Sequence, residues 1–115
     1  MPSYTNQQYA SWKRSSDEHL RSAMDVTRLR QLRIDGAFEA AYYAFIAALA
    51  QCDRFLGYED HPNIKLVNAA ATELRLSGPD RELSERLTHA YYNGDRGKFH
   101  LEDVLAWARR VRDAV

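Results

Sequence analysis

Apolar residues recur at helical spacing along most of this chain, and no segment shows the sustained alternation of a half-buried β-strand. The most informative stretch, 37–50, contains neither glycine nor proline and is apolar around nearly its whole circumference. A helix of this kind must be enclosed by other helices. The pattern therefore predicts an all-α fold, an antiparallel up-down bundle of about five helices, in a single domain over residues 1–115.

The first two predicted helices are separated by a break in the pattern. Ser3 or Thr5 can cap the first helix, whose apolar stripe loses its phase where Leu29 and Leu32 point away from it. We expect the break at the Ile-Asp-Gly segment that contains Asp35, with Asp35 as the cap of the second helix.

Glycine and proline mark the other helix ends. The second helix is expected to run to about Phe55 and to end at Gly57. Pro62 suits the first turn of a third helix, which the Ser-Gly-Pro segment 77–79 stops. Asp80 is expected to cap the fourth helix, and Leu101 begins the fifth.

Composition and charge indicate an ordinary soluble protein. Sixteen basic residues balance sixteen acidic ones, so no overall field attracts the chain to nucleic acid or to acidic lipid. The N-terminal residues lack the pattern of a signal peptide, and the longest apolar run is far below the ~20 residues that span a bilayer. A single cysteine, Cys52, is expected to be buried in the second helix. We expect a cytoplasmic protein without a membrane role.

No cofactor or metal is predicted. The four histidines are scattered, and no second cysteine accompanies Cys52. A phosphate loop, a dinucleotide fingerprint and a serine nucleophile elbow are all absent from the sequence.

The fourth predicted helix carries one candidate catalytic pair. His89 can exchange a proton near neutral pH, and Arg86, three residues earlier, can hold a phosphate. Arg96 in the following loop is a third candidate. The alternative is that His89 only contacts Glu85 four residues earlier on an exposed helix face.

The glycine-rich loop after that helix is a candidate ligand-binding surface. Its cations and aromatic residues can grip a phosphate and stack a base, although Asn-Gly-Asp is also common turn chemistry. The ligand-binding candidates are Tyr92, Asn93, Asp95, Lys98 and His100.

The central helix carries a candidate dimer seam. Tyr42 and Tyr43 point in different directions, and Tyr43 shares a face with the small residues Ala47 and Ala50. Small side chains let two helices approach closely, which favours a homodimer through this face. The alternative is that both tyrosines belong to the core.

The order of these elements resembles the HEPN superfamily of small helical domains. The resemblance covers roughly residues 15–115 and rests on the Ala-Tyr-Tyr-Ala segment 41–44, the helix opening at His61, the polar Tyr-Asn-Gly-Asp-Arg loop and the closing Leu-Glu-Asp-Val-Leu-Ala-Trp-Ala helix. It implies an antiparallel bundle that commonly dimerises. Many members are metal-independent ribonucleases or toxins paired with a nucleotidyltransferase-like antitoxin, whereas others are non-catalytic binding domains.

The catalytic motif of that superfamily is not matched. Active members carry an arginine followed by four to six residues and a histidine. Here the intervening residues number two from Arg86 to His89, seven from Arg81 to His89 and three from Arg96 to His100. The misfit favours a non-catalytic homodimeric module that binds a partner protein, a nucleotide or RNA.

Two alternatives stay open at this point. One is a metal-independent ribonuclease with a variant site of His89, Arg86 and Arg96. The other is a plain protein-interaction scaffold, because Leu29 and Leu32 need something to cover them.

Overall fold

A computed structural model describes residues 6–52 and 61–115, and every regular element in these ranges is helical. The helices are α1 (Asn6–Met24), α2 (Arg30–Gln51), α3 (Ile64–Glu73), α4 (Gly78–Asn93) and α5 (Leu101–Ala114), with a single 3-10 turn over Arg96–Lys98. The predicted all-α bundle of about five helices is confirmed. The predicted caps at Ser3 and Thr5 and the predicted helix end at Phe55 and Gly57 lie outside the described residues.

Helix α2 is the centre of the molecule. It packs against the four other α-helices described and the 3-10 turn, and the one exposed residue of its second half is Gln51 at its C-terminal end. Phe38, Phe45 and Tyr42 on α2 form an aromatic core with Trp107 of α5, whose ring centroid lies 6.5 Å from that of Phe38 and 6.4 Å from that of Phe45. The expectation that this helix is enclosed by its neighbours is confirmed.

The turn between α1 and α2 lies earlier than the sequence predicts. Asp25 closes it: its Oδ1 accepts hydrogen bonds from the backbone N–H of Thr27 at 3.0 Å and from the Thr27 hydroxyl at 2.7 Å. Leu29, with extended backbone, then precedes α2. The predicted break around Asp35 is wrong, because Asp35 lies inside α2 and caps nothing.

Gly36 explains the misplaced break. Glycine usually weakens a helix by about 1 kcal/mol relative to alanine, so it was an obvious candidate for a boundary. In the structure Gly36 lies where α2 is in close contact with α1, since a Cβ at Gly36 would lie 3.4 Å from the Ala23 Cβ and from the His19 carbonyl oxygen. Gly36 therefore serves helix packing.

The start of α3 and the cap of α4 also differ from prediction: α3 begins at Ile64, so Pro62 precedes its cap and is not in its first turn. Asn63 caps α3, its Oδ1 accepting hydrogen bonds from two backbone amides of the first turn, and Arg75 at φ 54° ends that helix in place of Gly78. Ser77 caps α4, because its Oγ accepts from the backbone N–H of Asp80 at 3.2 Å. Asp80 itself is buried and forms an ion pair with Arg110 of α5.

The structure also bears on the predicted burial of Cys52 and on membrane-spanning helices. Cys52 is exposed at the C-terminal cap of α2, so its predicted burial within the helix is wrong. Among the described residues, no helix combines the length and the apolarity that crossing a bilayer requires.

Candidate functional site

One face of α4 carries a row of exposed polar side chains. Glu82, Arg86, His89 and Asn93 follow one another at spacings of four, three and four residues, which places them in one row. The opposite side, with Leu87, is buried against the rest of the bundle. The helix thus presents a row of exposed polar side chains on the side that faces away from the buried residues.

The loop after α4 turns back over this face. Gly94 adopts φ 75°, a left-handed conformation that suits glycine, and the backbone N–H of Asp95 donates to the carbonyl of Ala90 at 2.8 Å. The chain then passes through the 3-10 turn to Phe99, whose side chain is buried in the core cluster.

Contacts from α2 and from the end of α4 hold this loop in place. The Arg30 guanidinium donates to the carbonyl oxygen of Phe99. Arg96 forms an ion pair with Asp35, and its guanidinium carbon lies 4.8 Å from the ring centroid of Tyr91. The loop is therefore a platform fixed by three separate contacts.

Arg86 differs from the other arginines near this loop. Its guanidinium carbon lies 5.3 Å from the ring centroid of Phe99, a cation–π arrangement. Among the described residues no carboxylate forms an ion pair with it. Its guanidinium therefore lies against the Phe99 ring and has no ion-pair partner in the part of the chain that the structure describes.

The Arg86–Phe99 stack separates two adjoining surface pockets that share Arg86, Lys98 and Phe99. The first, called here the His89 pocket, measures about 300 Å³ and is lined by Arg86, His89, Ala90, Asn93, Asp95, Lys98 and Phe99. The second, the His100 pocket, measures about 420 Å³ and extends toward α5 and the start of α4.

The His89 pocket favours an anion. Lys98 is neutralised in part by Asp95, whose Oδ2 lies 2.8 Å from the lysine Nζ. What remains is the Arg86 guanidinium, the Asn93 amide and the imidazole of His89, whose side chain is 61% exposed. The Nε2 of His89 lies 4.0 Å from Glu85 Oε1, so the predicted helix-face contact is present only at the limit of an ion pair.

The His100 pocket has a different charge balance. Asp80 and Arg110 cancel each other there, with Arg110 Nε 3.0 Å from Asp80 Oδ2. Glu82 and Asp103 then oppose the two cations that this pocket shares with its neighbour. An anionic group therefore meets less repulsion in the His89 pocket.

The structure brings together most, but not all, of the residues that the sequence singled out. Arg86 and His89 share the His89 pocket with three of the ligand-binding candidates, Asn93, Asp95 and Lys98. His100 lies in the adjoining pocket. Two residues stand apart: Arg96 points to α2, and Tyr92 is exposed and lines neither pocket.

The candidate dimer seam lies mostly inside the molecule. Ala47 and Ala50 are buried within this chain, and Tyr42 belongs to the core. Tyr43 is half-buried and stacks on His19 of α1, with ring centroids 5.3 Å apart. The homodimer stays a prediction, but these two alanines are already covered within one chain.

Sequence reasoning missed a second polar cluster, centred on Glu39 of α2. Its carboxylate oxygens lie 3.0 and 3.1 Å from His61 Nε2. Burial would raise the pKa of Glu39, but hydrogen bonds from His61 and Tyr91 outweigh it and lower that pKa. Glu39 and Asp35 are the only charged residues between Ile34 and Gln51. These two carboxylates on an otherwise apolar helix were therefore the sequence signal that could have indicated the cluster.

The pKa values of Tyr91 and Asp35, which lie near Glu39, are shifted as well. Burial, and then the hydrogen bond to Glu39, raises the pKa of Tyr91 to about 12. Burial also raises the pKa of Asp35, and the facing Arg96 offsets only part of that effect. These groups tie α2, α4 and the start of α3 together.

Comparisons with known proteins supply no identity. No family model, no curated protein and no solved structure matches the chain. The resemblance to the HEPN superfamily therefore stays a prediction. In the described residues, no group of three or more histidine, cysteine, aspartate or glutamate side chains is placed to hold a metal ion.

Proposed function

We propose that this protein is a non-catalytic binding module that takes the phosphate group of a nucleotide or an RNA strand in the His89 pocket. The observation that carries the proposal is the Arg86 guanidinium, which stacks on Phe99 at the edge of that pocket and has no ion-pair partner among the described residues. A planar guanidinium matches phosphate oxygens with two parallel hydrogen bonds. The resemblance to a superfamily with nucleotide- and RNA-directed members agrees with this assignment.

The fixed loop supports the proposal energetically. Binding is weakened when side chains and loops must be ordered at the moment of contact. Here Phe99 is anchored in the core, and α2 holds the loop through Arg30 and through the ion pair of Asp35 with Arg96. The cation is therefore presented without a further cost for arranging its support.

The direct test is calorimetric titration with adenosine monophosphate and with a single-stranded RNA octamer. Arg86→Ala is expected to weaken both at least tenfold, because hydrogen bonds to a charged group contribute about 1.5–3 kcal/mol and 1.4 kcal/mol is tenfold. Arg14→Ala, which removes an exposed arginine of α1, is the matched control and is expected to leave both affinities unchanged.

Absence of binding by the parent protein would refute the proposal. Equal losses in Arg86→Ala and Arg14→Ala would do the same, because they would indicate attraction to the general charge of the surface. Unchanged circular dichroism and unfolding midpoints in both variants establish that the comparison concerns binding.

A metal-independent ribonuclease is the second candidate, because Arg86 and His89 line one pocket. His89 could then transfer a proton while Arg86 holds the phosphate. This candidate predicts cleavage of the octamer in the presence of a chelator, and its loss in His89→Ala without a change of fold. Intact RNA after prolonged incubation with the parent protein would leave only the binding proposal.

A further inference from the structure

Four large apolar side chains are exposed together where α1 turns into α2. Val26 is 79% exposed, Leu29 73%, Leu32 52% and Met24 41%. They lie within nine consecutive residues, and we call them the α1–α2 tip. An exposed apolar group of this kind commonly marks an interaction surface.

The tip is built as a fixed element of the fold. Asp25 closes the turn with the two hydrogen bonds to Thr27, and the Arg33 Nε donates to the carbonyl oxygen of Ala23 at 2.8 Å. Leu29 and Leu32 fall outside the inward row of α2, which Ile34, Ala37 and Phe38 begin. The leucines are therefore presented outward by a turn with its own hydrogen bonds.

The charge around the tip is positive. Residues 24–34 contain three arginines, Arg28, Arg30 and Arg33, against the single carboxylate of Asp25, for a net charge of +2. Within the described ranges, Arg28 alone of these arginines forms an ion pair, with its Nε 3.8 Å from Asp25 Oδ2 and both side chains about half exposed. Arg30 and Arg33 donate to backbone carbonyls, which leaves their charges available to an acidic neighbour.

We propose that the α1–α2 tip docks an acidic partner protein, one that presents an apolar groove or helix face bordered by carboxylates. Arginine and methionine are enriched at protein interfaces, and lysine, which is depleted there, is absent from residues 24–34. Guanidinium groups also pair with carboxylates in a two-point geometry. This surface shares no lining residue with the His89 pocket, and it adds a protein partner to the proposed phosphate ligand.

A second copy of this chain fits the tip less well. A symmetric dimer would place the same patch against itself, so six arginines would face only two aspartates. Like charges brought together across an interface oppose association. The charge of the tip therefore favours a partner of opposite sign.

The test uses two synthetic amphipathic helical peptides that share a leucine face, one flanked by glutamates and the other by lysines. Binding is measured by nuclear magnetic resonance of the ¹⁵N-labelled protein. The glutamate peptide is expected to shift amides within residues 24–33 and to bind at least tenfold more tightly than the lysine peptide. Leu29→Asp is expected to weaken it at least tenfold.

Tyr92→Asp is the matched control, since Tyr92 is 78% exposed on another helix, and it is expected to change the affinity less than twofold. Arg86→Ala is also expected to bind the peptide normally, which separates this proposal from the phosphate site. No binding of the glutamate peptide, or equal binding of both peptides, overturns the inference. A homodimer that Leu29→Asp abolishes would overturn the inference in favour of a second copy of this chain. Binding to vesicles of anionic lipid that is tighter than binding to the glutamate peptide would overturn it in favour of a membrane surface.

Discussion

Arg86 and Arg96 stack on aromatic rings on either side of one loop, yet they stand in opposite electrostatic situations. Arg96 lies over Tyr91 and is neutralised by Asp35, with only 20% of its side chain exposed. Arg86 lies over Phe99 at the surface without a carboxylate partner among the described residues. One guanidinium is committed to holding the fold together, and the other keeps the capacity to bind an anion.

The largest expected effect comes from removing the committed arginine. Arg96→Ala leaves Asp35 without its partner and releases the loop from α2, so we expect the free energy of unfolding to fall by about 2–4 kcal/mol. Arg86→Ala is expected to cost less than about 1 kcal/mol, the scale of an exposed cation–π contact. Urea denaturation of both variants measures the difference, and equal losses would remove the distinction between the two residues.

Phe99→Leu tests whether the Phe99 ring positions Arg86 for binding. The leucine keeps much of the buried apolar volume, so we expect a loss of about 1–2 kcal/mol in the free energy of unfolding. Loss of the cation–π contact between Arg86 and residue 99 is expected to weaken the binding of adenosine monophosphate about threefold, as a contact of about 0.5–1 kcal/mol implies. Tyr92→Leu removes an aromatic ring that lines neither pocket, and its affinity is expected to equal that of the parent. A Phe99→Leu protein with full affinity would show that the stack does not position Arg86.

The two carboxylates of α2 are expected to respond to pH with opposite signs. The lowered pKa of Glu39 means that its contribution to stability is present above its unfolded-state pKa and lost as the pH falls through its folded-state pKa. The raised pKa of Asp35 means that its contribution is present below its unfolded-state pKa and lost as the pH rises through its folded-state pKa.

Unfolding free energies from about pH 3 to 7 check these signs in two variants. The difference between the parent and Glu39→Gln is expected to grow as the pH rises, whereas the difference between the parent and Asp35→Asn is expected to shrink. Parallel changes in the two variants would contradict the assigned hydrogen bonds of Glu39 and the dominant burial of Asp35.

The smallest expected effect is that of Lys98→Ala. Its ammonium group is already paired with Asp95 in an exposed contact, so it has little charge left for a ligand. We expect less than a twofold loss of affinity for adenosine monophosphate, and a gain of about twofold in Asp95→Asn, which frees the lysine. A loss as large as that of Arg86→Ala would make Lys98 an equal member of the site.

Much of the fold followed from the periodicity of the sequence, and the errors have local causes. The spacing of apolar residues gave α4 and α5 because their inward positions repeat over several turns. The sequence predicts the boundary between α1 and α2 at the wrong place, because Gly36 is a residue type that commonly ends a helix but here provides a close packing contact inside one. The turn at Asp25 depends on side-chain hydrogen bonds, which the apolar pattern does not record.

The candidate site was predictable only where its members are close in sequence. Arg86, His89 and Asn93 share a face through helical spacing alone. The pairing of Arg96 with Asp35 joins positions 61 residues apart, and no periodic pattern encodes which arginine finds a carboxylate. That Arg96 pairs with a carboxylate, while Arg86 has no such partner among the described residues, could therefore be recognised only from the three-dimensional structure.

Nuclear magnetic resonance of the arginine side-chain Nε–Hε groups, during titration with adenosine monophosphate, tests this distinction most directly. The Arg86 signal, assigned by its loss in Arg86→Ala, is expected to shift in a saturable way, while the Arg96 signal stays in place. Saturable movement of Arg96 with Arg86 unchanged, or movement of neither signal, would contradict the account.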